Sequence, residues 1–230
     1  MFKSLSDQDI DTLYYTKVKK PASYFKKYEL LPVCPVSQWN YDYQNFDFPR
    51  VWCILDFKDW MEKYNLSNVD TLGVTCLGDP ELEFIKGKST VHIDFPPYDL
   101  HTISNSFTKQ FNFFLFSQTL EHLYNPYVAV KSIYETIKPG GYVFTSVPTL
   151  NIPHMMPKHF SGFTPIGLAT LFTVCGFDVV EIGQWGNHDY ITKLFGEQTW
   201  PGYNRLQTNG RVTNEENNAC QCWILARRPV

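Results

Sequence analysis

The sequence predicts an α/β protein built on a doubly wound, mostly parallel sheet with helices on both faces. From Val69 onward, short apolar runs alternate with stretches of helical spacing, the pattern of strands joined by crossover helices. The run "FNFFLFS", Phe111 to Ser117, is apolar almost throughout, as a central strand covered on both faces requires. Helix signals punctuate the intervals: Asn125-Pro126 and Thr164-Pro165 open helical stretches, and Pro139-Gly140-Gly141 and Gly176 close them.

Taken in order, residues 1–66 read as an aromatic-rich helical and loop extension that packs on or caps the remainder, and 67–230 as one domain. Prolines break "KKPASYFKKYELLPVCP" and "NYDYQNFDFP" into loops with short helices. Ile54, Phe57, Trp60, Met61 and Tyr64 recur at helical spacing, so an amphipathic helix spans Ile54 to Leu66. "VDTLGVTC" is a strand, and "DPELEFIKG" a short helix with Asp79 as N-cap, Pro80 at its first position and Gly87 as its stop. "STVHID" and Phe111 to Ser117 are the next strands. The helix "NPYVAVKSIYETIKPGG", the strand "YVFTSVP", the helix "TPIGLATLFTVCGF" and the strands "DVVEIGQW" and "CQCWILAR" complete the alternation. Ligands of such sheets bind beyond the carboxyl ends of the strands, which directs attention to the turns after Cys76, Asp94, Ser117 and Val147.

Hydrophobic residues at 43% and charged residues at 19% fit a soluble globular chain. A net charge of −3 and the lack of a Lys/Arg stripe argue against a nucleic-acid partner. No run of eighteen apolar residues offers a membrane span, "MFKSLSDQDIDTLYY" has no apolar core of a signal peptide, and cysteines that read as reduced thiols place the expected location in the cytoplasm. The six cysteines lie mostly in apolar runs. Cys220-x-Cys222 on a strand would point both thiols to one face, and without further ligands nearby they read as buried reduced thiols rather than a zinc site. The oligomeric state is left open.

Residues 113–148, "FFLFSQTLEHLYNPYVAVKSIYETIKPGGYVFTSVP", resemble class I S-adenosylmethionine-dependent methyltransferases, most of all the group acting on small molecules and sugars. There a strand ends in a loop bearing Leu-Glu-His, a helix follows, then Lys-Pro-Gly-Gly and a strand ending in Pro. "HFSGFTPIGLATLFTVCGFDVVEIGQWG" is similar to the following segment, and the resemblance covers roughly residues 69–227. It implies a Rossmann-like fold with seven strands, and S-adenosyl-L-methionine as cofactor with S-adenosyl-L-homocysteine as product. The family's first turn carries an acid and alternating glycines. Here Gly73 stands at the acid, Thr75 and Leu77 stand at glycines, and Gly78 remains as the candidate contact. Asp94 would accept from the ribose hydroxyls, with capping as the structural alternative. Asp99 and Leu100, in "YDLHTI", would hold the adenine, and Ser117 and Gln118 would line the cofactor from the next turn. The interval from Asp94 to Asp99 is short, so the third strand is reduced or missing.

Methyl transfer to a hydroxyl is an in-line displacement that needs alignment and a base for the acceptor's proton. His159, His122 and His154, in that order, are the candidate bases, since their loops meet at one sheet edge; bonding to backbone groups is their structural alternative. Glu121 would orient His122 or the cofactor. Trp185, Asn187 and Tyr190, in the inserted loop Gly183 to Arg205, mix aromatic and amide groups suited to a sugar or another flat polar acceptor, and equally to a packed surface loop. A divalent metal is possible on this residue content, but no ligand spacing indicates one. The expected activity is O-methylation of a sugar or polyhydroxylated small molecule. N- or C-methylation of a small metabolite and a catalytically silent methyltransferase-like binding module are the alternatives.

Overall fold

The computed structural model describes residues 2–28, 44, 48–155, 158–209 and 211–230. Its strands are β1 (Asn68–Val74), β2 (Lys86–His92), β3 (Phe111–Leu115), β4 (Ile137–Pro148), β5 (Asp178–Trp185) and β6 (Gln221–Arg227). They form one sheet in the order β2-β1-β3-β4-β6-β5, with β6 alone running antiparallel to its neighbours. The expected class holds with six strands rather than seven among the described residues. Between β2 and β3 the chain carries turns and a 3-10 helix at Ile103–Asn105, with no strand. Pro96 and Pro97 lack the N–H groups that a ladder uses, and the remaining interval is taken up by turns.

Alternation along the central strands divides the apolar residues into two cores. Phe113 and Leu115 of β3, with Trp223 and Leu225 of β6, meet α3 (Pro49–Lys63) and α6 (His188–Glu197) on one face. Phe114 and Phe116, with Ile224 and Ala226, meet α4 (Pro126–Thr136) and α5 (Pro165–Val174) on the other. A strand covered on both sides has no polar face to show, which explains the apolar run at 111–117. Both crossover helices carry the expected caps: Asn125 accepts from the Val128 N–H and Thr164 from the Gly167 N–H.

Several elements depart from expectation. Helix α3 starts at Pro49 and is buried nearly all round rather than amphipathic. Its outer side is covered from the short helix α2 (Ala22–Lys26) and the turn after it, where Tyr28 packs edge-on against Trp52 at 4.9 Å. Residues Pro80–Glu83 form a single 3-10 turn, Asp79 makes no side-chain cap, and Gly87 lies inside β2. Strand β4 begins directly after α4, so Pro139-Gly140-Gly141 belongs to the strand, where Gly140 and Gly141 pair with Arg228 beyond β6. The inserted loop is largely helical, comprising α6 and α7 (Tyr203–Leu206). Cys220 and Cys222 enter opposite cores, because Cys220 lies in the bend before β6 rather than on the strand. The loops read between 29 and 47, Gln44 excepted, and Cys34 with them, lie outside the described residues. No helix among the described residues is long and apolar enough to cross a membrane.

Candidate active site

The carboxyl ends of β1, β2 and β3 open into a cavity of about 480 Å³, whose lining includes Thr75, Asp94, Asp99, Leu100, Gln118 and His122. That volume lies in the range of small-molecule and cofactor sites. Ile93, Leu100 and Leu123 give it an apolar floor, and Phe95 and Tyr124, both strongly exposed, stand on its rim.

Five sequence candidates therefore come together on one cavity: Asp94, Asp99, Leu100, Gln118 and His122. Asp94 lies two residues beyond the end of β2 and is exposed. Asp99 Oδ1 accepts from the His101 backbone N–H at 2.9 Å and lies 2.6 Å from His101 Nδ1. Burial alone would raise the Asp99 carboxyl, and these hydrogen bonds outweigh it and hold the group below its ordinary value. His101 in turn stacks on Tyr124 with ring centroids 4.0 Å apart, making a flat aromatic wall. Gln118 has a left-handed backbone, φ +49, and its side chain donates from Nε2 to Ser146 Oγ at 3.0 Å. Non-glycine residues held there are uncommon and concentrate at functional sites.

The glycine-poor first turn is organised differently from its expected pattern. A Cβ at Gly73 would lie 2.7 Å from Phe114 Cδ2, so no side chain, acidic or otherwise, fits there. Thr75 lines the cavity, whereas Gly78 lies in a separate hollow with Asp79 and Glu83. Ser117 also turns inward: it is buried and donates to Glu81 Oε1 at 2.9 Å. Glu81, fully buried, takes both of its oxygens to Arg50 of α3 at 3.0–3.1 Å. Arg50 also lies 3.6 Å from Asp79. Burial and the Glu81 charge nevertheless push the Asp79 carboxyl up to about 7, and its Oδ2 is buried without a hydrogen-bond partner.

The loops after β3 and β4 bring three histidine rings together, with centroids 5.2 Å (His122–His154), 4.9 Å (His154–His159) and 6.3 Å (His122–His159) apart. Each ring points one nitrogen at a backbone carbonyl: His122 Nδ1 at Lys158, His154 Nδ1 at Ile152 and His159 Nε2 at Ser161. A carbonyl only accepts, so that nitrogen carries the proton and the opposite one keeps a basic lone pair. The structural reading of these histidines is thus realised, and it leaves each ring a base. His122 alone of the three lines the large cavity. Burial, together with the neighbouring His154 and His159, holds it below its ordinary value against the opposing carbonyl bond, so it is neutral at neutral pH. Glu121 lies 3.8 Å from His122 Nε2, beyond hydrogen-bond range, while its carbonyl accepts from the Phe160 N–H and so ties the two loops together. Among the described residues no group of three or more His, Cys, Asp or Glu could hold a metal ion.

A smaller hollow of about 50 Å³ adjoins the cavity, and Gln118 lines both. Of the expected acceptor residues, Tyr190 lines this hollow. Trp185 is fully buried between Phe48 and Tyr190, and Asn187 caps α6 by accepting from the Tyr190 N–H at 2.7 Å. Both therefore serve the core, because their segment is strand end and helix cap rather than loop. Trp200, Asn151 and Gln221 complete the hollow without having been singled out in the sequence. Trp200 carried the aromatic signal of its segment, whereas Gln221 sits in a strand whose pattern gives no sign of it.

No protein-family model matches the chain, and no curated protein matches it by sequence. Its fold is similar to that of a candidate methyltransferase from Bacillus halodurans, with TM-score 0.51, 14% identity, and coverage of 76% of this chain and 99% of that one. It is also similar to the 4+2 cyclase SpnF, with TM-score 0.52, 12% identity, and coverage of 90% and 95%. A candidate exported protein from Bordetella parapertussis gives TM-score 0.50 at 10% identity, covering 98% of this chain and 84% of that one. At such identities the likeness establishes the Rossmann-like fold alone, and the differing names show that this fold carries more than one chemistry.

Proposed function

We propose that the protein is an S-adenosylmethionine-dependent methyltransferase that O-methylates a hydroxyl of a sugar or related polyhydroxylated small molecule. The observation that carries this reading is the convergence of Asp94, Asp99, Leu100 and His122 on one cavity at the carboxyl edge of the sheet. The residues present fit the cofactor. Asp94 offers a carboxylate to a pair of ribose hydroxyls, since each of its oxygens accepts. Asp99 Oδ2, which makes no hydrogen bond among the described residues, offers an acceptor for an adenine amino group, with Leu100 and the His101–Tyr124 stack beside the ring. When bound, the cofactor supplies a methyl group activated on a sulfonium.

The chain's own task is to hold the acceptor in line and to take its proton. His122 is the proposed base: it borders the cavity, is neutral, and keeps Nε2 unprotonated because the Lys158 carbonyl holds the proton on Nδ1. His154 and His159, packed against it, disfavour a resident positive charge and so keep its lone pair available before reaction. Titration calorimetry with S-adenosylmethionine and S-adenosylhomocysteine, followed by a hydroxyl-acceptor panel, tests the reading. Binding of both ligands, with methyl transfer to a polyol, is expected. A well-folded protein that binds neither would replace the enzyme with a non-catalytic binding module.

A further inference from the structure

We infer that the small hollow beside the cavity seats the acceptor's head group, that it selects a neutral hydroxyl-bearing head over an ionised one, and that Gln221 makes the selection. This rests on the methyl-transfer reading above. The hollow holds about 50 Å³, and one water-sized atom needs roughly 10–15 Å³, so a few atoms of a larger molecule enter it. Gln118 belongs to both spaces, which sets the hollow next to the cavity that His122 borders.

Charge decides what enters. The lining described (Gln118, Asn151, Tyr190, Trp200, Gln221, with prolines, Leu150 and Cys220) contains no Asp, Glu, Lys, Arg or His. A carboxylate, phosphate or ammonium would give up its water there and meet no opposite charge. A hydroxyl loses far less and needs only hydrogen-bond partners.

Gln221 supplies the unmet partner. It is 4% exposed, and its Oε1 is buried without a hydrogen bond, which native structures seldom leave unexplained. Two polar groups of the hollow are already engaged, Trp200 Nε1 donating to Asn151 Oδ1 at 2.7 Å and Gln118 Nε2 to Ser146 Oγ at 3.0 Å, whereas Trp185 Nε1 on the adjacent strand is, like Gln221 Oε1, buried without a partner. Gln221 is also held in place, since it is the first residue of β6 and pairs with Pro148 of β4 and Trp185 of β5. A carboxamide presents an acceptor and a donor side by side, and two adjacent hydroxyls present the matching pair. The hydroxyl that Gln221 anchors is then the neighbour of the one whose proton His122 takes.

Ligand-detected NMR on the protein with S-adenosylhomocysteine tests this, using methyl α-D-glucoside and erythritol as neutral probes, and acetate, inorganic phosphate and ethylammonium as ionised ones. The neutral probes should bind at least about tenfold more tightly than the ionised ones. Gln221→Leu and Gln221→Met should each weaken the neutral probes about tenfold, with S-adenosylhomocysteine affinity unchanged. Neither variant should melt below the wild type, because an amide without a partner is removed. Equal probe binding in the variants, preference for an ionised probe, or a clear drop in melting temperature overturns the inference. So does a wild type that binds S-adenosylhomocysteine and neither neutral probe. Neutral probes that bind and are lost on Gln221→Leu, in a protein that binds no S-adenosylhomocysteine, would keep the selection by Gln221 and overturn methyl transfer instead.

Discussion

Asp94 and Asp99 differ in how much of each carboxylate is already engaged, and that difference sets what their loss should do. Asp94 makes no side-chain hydrogen bond among the described residues, while Asp99 already holds His101 through Oδ1. Ala at either should weaken S-adenosylhomocysteine by about 1.5–3 kcal/mol in calorimetry, the range for a charged hydrogen bond. Asp99→Ala should also loosen the His101–Tyr124 stack, a second effect that Asp94→Ala lacks. Wild-type affinity in both variants would remove these residues from the cofactor site. His122 carries a prediction about pH. A base held below 6.5 stays unprotonated as pH falls through the ordinary histidine range, so turnover should fall only below pH 6.5. His122→Ala should cost roughly 10²–10⁴ in turnover with little change in cofactor affinity. An acid limb above pH 6.5, or near-normal turnover in the variant, would assign the proton to another group. The place of these residues on the cavity was legible because each lies on a loop leaving the carboxyl end of a strand, whose place in the alternating pattern predicts the sheet edge. Ser117 was misread because at a strand end adjacent residues face opposite ways, and a shift of one turns a lining residue into a buried one. Gly78 was misread because a glycine in a turn signals backbone freedom, not proximity to a ligand.

At the scale of elements, helix α3 and the turn after β1 are joined by a buried ion pair that no local pattern predicts. Arg50 and Glu81 are 31 residues apart in sequence, and each looks like an ordinary surface charge when read alone. Glu81 is fully buried and Arg50 nearly so, so removing one partner strands the other's charge. Arg50→Met should therefore destabilise by about 3–5 kcal/mol in denaturant unfolding, and a Met/Gln pair at positions 50 and 81 should recover much of the loss. If the single variant loses under about 1 kcal/mol, the pair is solvated and the turn is held otherwise. Asp79 beside it gives the turn a pH dependence. Its folded value of about 7 lies above the 3.8 of a free carboxyl, so the folded state binds more protons between these limits. Its contribution is complete below about pH 3.8 and is lost as pH rises through about 7. Stability of the wild type relative to Asp79→Asn should thus fall from pH 4 to pH 8, and a flat difference would refute the shift. The glycine-poor turn follows from the same packing. Phe114 occupies the space where an acid at position 73 would project, so the aromatic run in β3 and the glycine in β1 are one feature read from two places. The sequence shows both residues, but only the parallel pairing of β1 with β3 shows that they compete for one volume.

For the whole molecule, alternation and capping made the sheet and its crossover helices legible, since those signals are local and repeat along the chain. What the sequence could not show was how residues 1–66 join the rest, because a buried helix and a capping extension carry the same aromatic content. Helix α3 places Val51, Trp52, Ile54, Phe57, Trp60 and Met61 in the core that also contains Phe113, Phe144 and Trp223. Asp56 lies beneath them, fully buried, accepting from Trp223 Nε1 at 3.1 Å and Tyr24 Oη at 3.0 Å, with Lys27 Nζ at 3.2 Å. Gly183 of β5 completes this contact, since a Cβ there would fall 2.2 Å from Trp223 Nε1 and 2.8 Å from Asp56 Oδ2. Burying each large apolar side chain is worth roughly 1.5–3 kcal/mol, and a domain's net stability is only about 5–15 kcal/mol. Losing six such residues, about 9–18 kcal/mol together, is as large as that whole margin, quite apart from exposing one face of the sheet. A chain beginning at residue 67 is therefore expected to show no cooperative transition in urea. The full chain should unfold in one step, with tryptophan fluorescence and far-ultraviolet circular dichroism superimposed. Should the shortened chain keep a cooperative transition, the sheet would be stable without α3, and residues 1–66 would act as a cap laid on a finished domain.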